Sequence, residues 1–241
     1  MTAKAQKMDS RINFLYTDSH VAVCEKPSGV LSQRDISGED GMVELLSAEL
    51  GGDIFPVHRL DRPVGGLMVF ARTQKTAAKL SAAASENGNQ ADESHGFLKE
   101  YLVCVSGAPQ ESAGVLTDHL YRDRASGKTF AVSSARKGTK PASLSYRLLG
   151  SASGASGEPL SLLKIRLHTG RTHQIRAQFA TRGMPVAGDG KYGSRVKCAG
   201  IALASCRLAF DHPVSGKRMD FRLIPKEHPV FGLFGELLYI Q

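Results

Sequence analysis

No apolar run in the 241 residues approaches the roughly 18 that a membrane-spanning helix needs. The polar opening Met1-Thr2-Ala3-Lys4-Ala5-Gln6-Lys7-Met8-Asp9 also lacks the apolar core of a secretory signal. Neither membrane insertion nor export is expected, and a cytoplasmic location follows. Cysteine is scarce and scattered: Cys24, Cys104, Cys198 and Cys206 form no CxxC pair. That pattern gives no zinc framework and reads as reduced core thiols. Acidic residues are the other shortage. Twenty-three Asp and Glu against 31 Lys and Arg leave a net charge of +8 and a pI near 9.4, which favours a polyanionic partner, nucleic acid first. Two phosphate-loop look-alikes each lack a part. Gly188-Asp189-Gly190-Lys191-Tyr192-Gly193 has no strong strand leading in and no helix following, and Gly127-Lys128-Thr129 has Arg122 where the first glycine is required. Both read as turns.

What is present suffices for an ordinary core, with 41% apolar and 22% charged residues. Residues 1–10 read as a loose tail and 11–241 as one domain, since no repeat or linker divides the chain. Short β-prone runs at 12–16 and 21–25 flank a turn, and 30–32 reads as a further short strand. Residues 42–50 carry apolar side chains at 42, 43, 45, 46 and 50, a helical pattern ended by Gly51-Gly52. The run 67–71 is a buried strand. Residues 73–84 form a helix with Thr73 as its cap, and 85–96 a polar loop. Residues 97–106 form a strand with Tyr101 and Val103 on one face and Leu102 and Cys104 on the other. Antiparallel strands with basic turns are expected over 114–149, and a strand over 160–168. A helix at 172–182, strands at 201–210 and 218–223, and a closing helix at 229–239 complete the order. The fold class is α+β: a mixed, mostly antiparallel sheet with flanking helices and a central cleft.

Two stretches carry chemistry. In His58-Arg59-Leu60-Asp61-Arg62-Pro63 a carboxylate stands between two arginines, in a loop entering the 67–71 strand. A carboxylate held among cations has its ionised form favoured, which suits a nucleophile or an anionic base. The plain alternative is a surface acid with two weak salt bridges. In Leu167-His168-Thr169-Gly170-Arg171-Thr172-His173-Gln174-Ile175-Arg176 a strand ends, Gly170 turns the chain, and polar groups arrive at a helix start. Free backbone N–H groups there bind anions, and the arginines add bidentate donors. On a helix Thr172 and Arg176 share a face, with Ile175 towards the core. The plain alternative is a capped amphipathic helix with a solvated basic face. His168 and His173 lack a third ligand, so no metal is expected.

Together the two stretches resemble the RluA-type family of RNA pseudouridine synthases. Glu25-Lys26-Pro27-Ser28-Gly29 is similar to the family's KPxG segment, and Lys99-Glu100-Tyr101 to its KxY. Pro185-Val186-Ala187-Gly188-Asp189 with Tyr192-Gly193 resembles the tail after the arginine motif, and Leu208-Ala209-Phe210-Asp211-His212-Pro213 the LxFxHP segment. The likeness implies the pseudouridine synthase catalytic fold and isomerisation of specific uridines in structured rRNA or tRNA. Detaching, rotating and rejoining a base needs a nucleophile, a dry pocket and an aromatic face but no metal or redox cofactor, and a monomer is expected. The likeness makes Asp61 the nucleophile towards a flipped-out uridine. Tyr101 would stack on the uracil, and Arg176 would hold Asp61 ionised and aimed. Arg59 would fill the gap left by the extruded base. Arg62, Arg171, Thr172, His173, Gln174 and Lys26 would contact RNA, and Leu203 and Ile175 would line the pocket. Flipping costs a few kcal/mol, and one aromatic stack returns roughly 1–3 kcal/mol. With no small RNA-binding module expected ahead of Ile12, target choice falls to the segments 85–96 and 122–140.

The sequence departs from the family at two places. Val64-Gly65-Gly66 stands where Thr-Ser-Gly is usual, removing two hydroxyls, and Leu203-Ala204-Ser205 stands where Leu-His-Ala is usual. Two competing readings follow: an RNA-binding or RNA-folding factor that keeps the fold without turnover, and a hydrolase that uses the same aspartate to release free uracil.

Overall fold

Apolar β-prone runs set the centre of the molecule. The computed structural model describes residues 12–86, 94–132 and 134–239. The expected tail at 1–10 and the middle of the loop expected at 85–96 lie outside the described residues. Strands β1 (Phe14–Thr17), β2 (Val21–Lys26), β3 (Phe55–Pro56) and β4 (Gly65–Ala71) come from the first third, with helix α1 (Met42–Leu50) between β2 and β3. Helix α2 (Gln74–Glu86) leads to β5 (Leu98–Ser106), β6 (Ala113–Asp123), β7 (Lys128–Val132), β8 (Thr139–Ser153) and β9 (Pro159–Leu167). Helix α3 (Gln174–Thr181), β10 (Leu203–Asp211), β11 (Arg218–Arg222) and the short α4 (Pro229–Gly232) follow.

The described strands join one sheet in the order β1-β2-β4-β10-β5-β9-β8-β6-β7, with β3 on β4 and β11 on β10. Every pairing is antiparallel except β4 with β10, where Gly65 and Gly66 face Ala204 and Ser205. That junction explains one glycine. Gly66 has φ of 112°, and a Cβ there would lie 2.2 Å from the Ser205 carbonyl oxygen. No side chain fits so close an approach of two backbones.

The period of two in the strands sorts side chains onto two faces. One face carries Met68, Tyr101, Val103, Ile165 and Leu203, and on it pack Met42 and Leu46 of α1 and Ile175 and Phe179 of α3. The other carries Leu102, Cys104 and Cys206 beneath Val230 and Phe231 of α4, and Leu67, Val69 and Phe210 beneath Leu80 of α2. Tyr101 thus lies on the α1–α3 face and Leu102 and Cys104 on the opposite one, as their alternation predicts. Helix α1 has the expected bounds. Thr73 caps α2, its Oγ1 accepting the Thr76 N–H at 3.2 Å.

Three local expectations fail. Residues 30–32 form no strand, only a single bridge between Leu31 and Gly41. Helix α3 starts at Gln174 rather than 172, because His173 adopts φ 53°, ψ 26° and breaks the helical path; Thr172 and Arg176 therefore share no helix face. The closing segment is two short turns, α4 and a 3₁₀ turn over Gly235–Tyr239, not one helix. All four cysteines are free, and Cys24, Cys104 and Cys206 are buried. Among the described residues no helix is long and apolar enough to cross a membrane.

Candidate active site

The segment before α1 builds the seat of Asp61. Lys26 at the end of β2 is fully buried, and its Nζ donates to the carbonyls of Pro27 (2.9 Å), Val30 (2.6 Å) and Arg62 (3.2 Å). The Gly29 N–H donates to the same Arg62 carbonyl at 2.8 Å. Ser28 Oγ donates to the Pro63 carbonyl, and Ser32 Oγ both donates to the Leu60 carbonyl and accepts the Leu60 N–H. The loop closes on itself through Val64 N–H to the Asp61 carbonyl at 2.9 Å. These bonds hold residues 60–64 without the hydroxyls absent at Val64 and Gly65. Val64 is itself buried in the core. A Cβ at Gly65 would meet Lys26 and Ser28 backbone atoms at 3.4 Å, an ordinary contact, so nothing in the packing demands glycine there.

Helix α3 brings the other half. Arg176 is 4% exposed and reaches two carboxylates. Its Nε and Nη2 grip Asp189 at 2.6 and 2.9 Å, while Nη1 donates to Asp61 Oδ2 at 3.0 Å. Its guanidinium carbon sits 4.9 Å from the centre of the Tyr192 ring. Burial alone would lower the arginine's pKa, but Asp189 and Asp61 outweigh it and the net shift is upward. A planar fork bound this way has little freedom, so the Asp61 carboxylate is fixed through one oxygen. The other oxygen, Oδ1, takes no hydrogen bond from the described residues.

Asp61 lies in a cleft of ≈1090 Å³ whose lining includes Tyr101, Leu203, Ile175, Lys99, Arg171 and Arg59. Tyr101 is 5% exposed, and burial, with the Asp61 charge adding, raises its phenol so that it stays neutral. Leu203 and Ile175 are buried apolar walls. Lys99 Nζ donates to the Ala84 carbonyl at 3.1 Å, and burial pushes its pKa down to about 8. The His58 ring accepts the Val69 N–H at Nε2, and burial with the nearby Lys99 charge pushes it down to about 3. Among the described residues no three His, Cys, Asp or Glu side chains converge as metal ligands.

The expected RNA-contact residues divide. Arg59 and Thr172 are exposed at the cleft, and Arg171 lines it with only Nε engaged, on the Pro141 carbonyl. Arg62 is exposed but held by Glu39 at 2.9 Å and by the Gly29 carbonyl. It is not a flanking partner of Asp61; that place belongs to Arg176, 115 residues away in sequence. Two expectations are corrected. Lys26 cannot reach a phosphate, because it is sealed from solvent and its ammonium is engaged by carbonyls. Gln174 is 3% exposed, and its amide is engaged inside the loop: Oε1 accepts from Thr169 Oγ1 and the Arg171 N–H, and Nε2 donates to the Ser143 carbonyl. His173 stands beside Asp61, with Nε2 3.8 Å from Oδ2. Residue-by-residue reading assigned no role to Asp189, Tyr192, Lys191 or Lys99, although the segments resembling the family's carry all four or flank them. Only the folded chain puts them at the site.

Residues 20–181 match the family model described as RNA pseudouridylate synthase. An uncharacterized RNA pseudouridine synthase of Aquifex aeolicus is 32% identical over 231 residues, 88% of this chain and 69% of that protein. The ribosomal large subunit pseudouridine synthase D of Zymomonas mobilis is 29% identical, covering 91% of this chain and 71% of its own length. The tRNA pseudouridine synthase C of Pectobacterium carotovorum is 29% identical over 88% of this chain and 58% of its own length. Among solved structures, human RNA pseudouridylate synthase domain containing 1 superposes with a TM-score of 0.71 at 20% identity, covering 92% of this chain and 86% of that one. Human RNA pseudouridylate synthase domain containing 4 gives 0.68 at 19% identity, over 94% of this chain and 93% of that one, so the fold is shared. By sequence over most of its length, this chain belongs to the RNA pseudouridylate synthases, isomerases that convert uridine in RNA to pseudouridine.

Proposed function

We propose that the protein isomerises specific uridines of structured ribosomal or transfer RNA, with Asp61 as the nucleophile and Oδ1 as its reacting atom. The observation that carries this reading is the asymmetric hold on one carboxylate. Oδ2 is bound by Arg176 at 3.0 Å and Oδ1 is left without a partner among the described residues, at a cleft beside a buried tyrosine. Tyr101 supplies the face on which an extruded uracil stacks, and Leu203 and Ile175 exclude water from its edge. Arg176 fixes the direction of attack. Arg59, Arg171 and Thr172 meet the RNA at the cleft mouth. The names of two relatives, one acting on the ribosomal large subunit and one on tRNA, support this substrate class.

The test is release of tritium from RNA labelled at uracil C5, comparing wild type with Asp61→Ala. Release by wild type alone, with the base retained in the RNA, is expected. Free uracil in solution would establish hydrolysis instead. Equal release by both proteins would remove Asp61 from its role.

A further inference from the structure

His173 is the only described residue other than glycine with positive φ. Holding a histidine there costs conformational energy, so the surroundings must over-determine it. They also fix its proton. Tyr192 OH accepts the Thr129 N–H at 2.8 Å and lies 2.8 Å from His173 Nδ1. The tyrosine's own hydrogen has two acceptors in reach, His173 Nδ1 and the buried Thr129 Oγ1. Arg122 Nη1, also bound to the Gly127 carbonyl, stands 3.5 Å from the same nitrogen, and a guanidinium can only donate. With the guanidinium N–H directed at it, Nδ1 acts as an acceptor and carries no hydrogen. The ring is neutral, because burial pushes its pKa down to about 4; Asp61 opposes that, while Arg176, Arg122 and Lys191 add to it. A neutral imidazole with a bare Nδ1 carries its hydrogen on Nε2. That Nε2 is the atom 3.8 Å from Asp61 Oδ2, and it approaches the oxygen already held by Arg176.

We propose that His173 is a positioning residue for the isomerisation: Tyr192 and Arg122 lock it as the Nε2–H tautomer, and that N–H closes onto Asp61 Oδ2 when RNA fills the cleft. The 3.8 Å separation is longer than a hydrogen bond, as is common for groups that tighten around substrate. With Arg176 on one side of Oδ2 and His173 on the other, the carboxylate plane is fixed and Oδ1 alone faces the substrate. A neutral donor adds direction without adding positive charge, which would make the nucleophile less reactive. The role rests on the reading of Asp61 as nucleophile.

The experiment combines single-turnover kinetics with ring ¹⁵N spectroscopy. His173→Asn tolerates positive φ and keeps the fold, but its shorter amide cannot reach Oδ2. The rate of the chemical step should fall about 10-fold to 100-fold, the range for a lost hydrogen bond to a charged group, with RNA dissociation constants within about 2-fold of wild type. Tyr192→Phe retains the ring packing and removes only the hydroxyl, so a loss of about 3-fold to 10-fold is expected, alongside a changed tautomer ratio. In the wild-type protein the His173 ring nitrogens should report hydrogen on Nε2. Hydrogen on Nδ1 would overturn the proposal. So would a His173→Asn enzyme with unchanged rate, or one that loses only RNA affinity. Persistent turnover in Asp61→Ala would instead sink the underlying reading, and that outcome is separate from the other three.

Discussion

Two buried cations serve this site in opposite ways. Lys26 and Arg176 are both sealed from solvent and both act on the Asp61 loop. Lys26 is surrounded by uncharged carbonyl oxygens, and burial pushes its pKa down to about 8 despite the pull of Asp61. Arg176 is gripped by two carboxylates and shifts upward. The lysine fixes where the backbone runs; the arginine fixes where the carboxylate points. One cation holds backbone, and in the proposed reaction the other serves the chemistry. An exposed lysine next to a substrate-binding motif and a buried one look alike in sequence, and the difference emerges only from what surrounds the ammonium.

The sharpest test of that division is Arg176→Ala. Turnover should fall by about 10²- to 10³-fold, the cost of losing a fixed charged donor at a reacting group, while RNA affinity stays within a few-fold. Arg176→Lys should recover little, since a point charge cannot bridge Asp189 and Asp61 in one plane. Turnover that survives either change would erase the distinction. Lys26→Met should show the reverse profile. Three carbonyls lose their donor, so unfolding free energy should drop by about 2–3 kcal/mol in urea titration, with a smaller loss of turnover in the protein that remains folded. Unaltered stability would show that the lysine does not hold the loop.

Lys99 provides the smallest and most selective probe. It shares the lowered pKa of about 8 with Lys26, but it lines the cleft, and only one of its three donors has a partner among the described residues. A phosphate placed near it favours the ammonium, so binding is strongest where Lys99 is charged and weakens as pH rises through about 8. At fixed salt, wild-type RNA affinity should decline between about pH 7 and 9, and Lys99→Met should bind more weakly but with a flatter profile. An equal decline in the variant would assign the titration elsewhere.

Much of the frame was legible because it follows from local pattern. The apolar spacing at 42–50 ended at two glycines and gave α1 its bounds, and the alternation in β5 put Tyr101 on the α1–α3 face. The start of α3 lies at Gln174 because His173 leaves helical geometry, its ring bound to Tyr192, which is not a sequence neighbour. The burial of Lys26 and Gln174 was illegible for a related reason: hydrophilic side chains become interior only where carbonyls from distant segments converge on them. The Arg176–Asp61 pair was expected from the family likeness alone, and Asp189 anchoring the far side of Arg176 was not expected at all.

The β4–β10 junction has a consequence in time. Strand β4, which carries Asp61 at its entrance, has its parallel neighbour in residues 204–205, and Arg176 meets Asp61 across 115 residues of chain. Contacts of such sequence separation form late and slowly, because loop-closure entropy is paid before they stabilise anything. During synthesis the aspartate loop therefore emerges long before its sheet partner and its arginine exist. The Asp61–Arg176 pair needs α3, and β4 is joined to β5 only through β10. A chain made only through β9 lacks the arginine that holds Asp61, so the fixed orientation of that carboxylate is a late property of the fold.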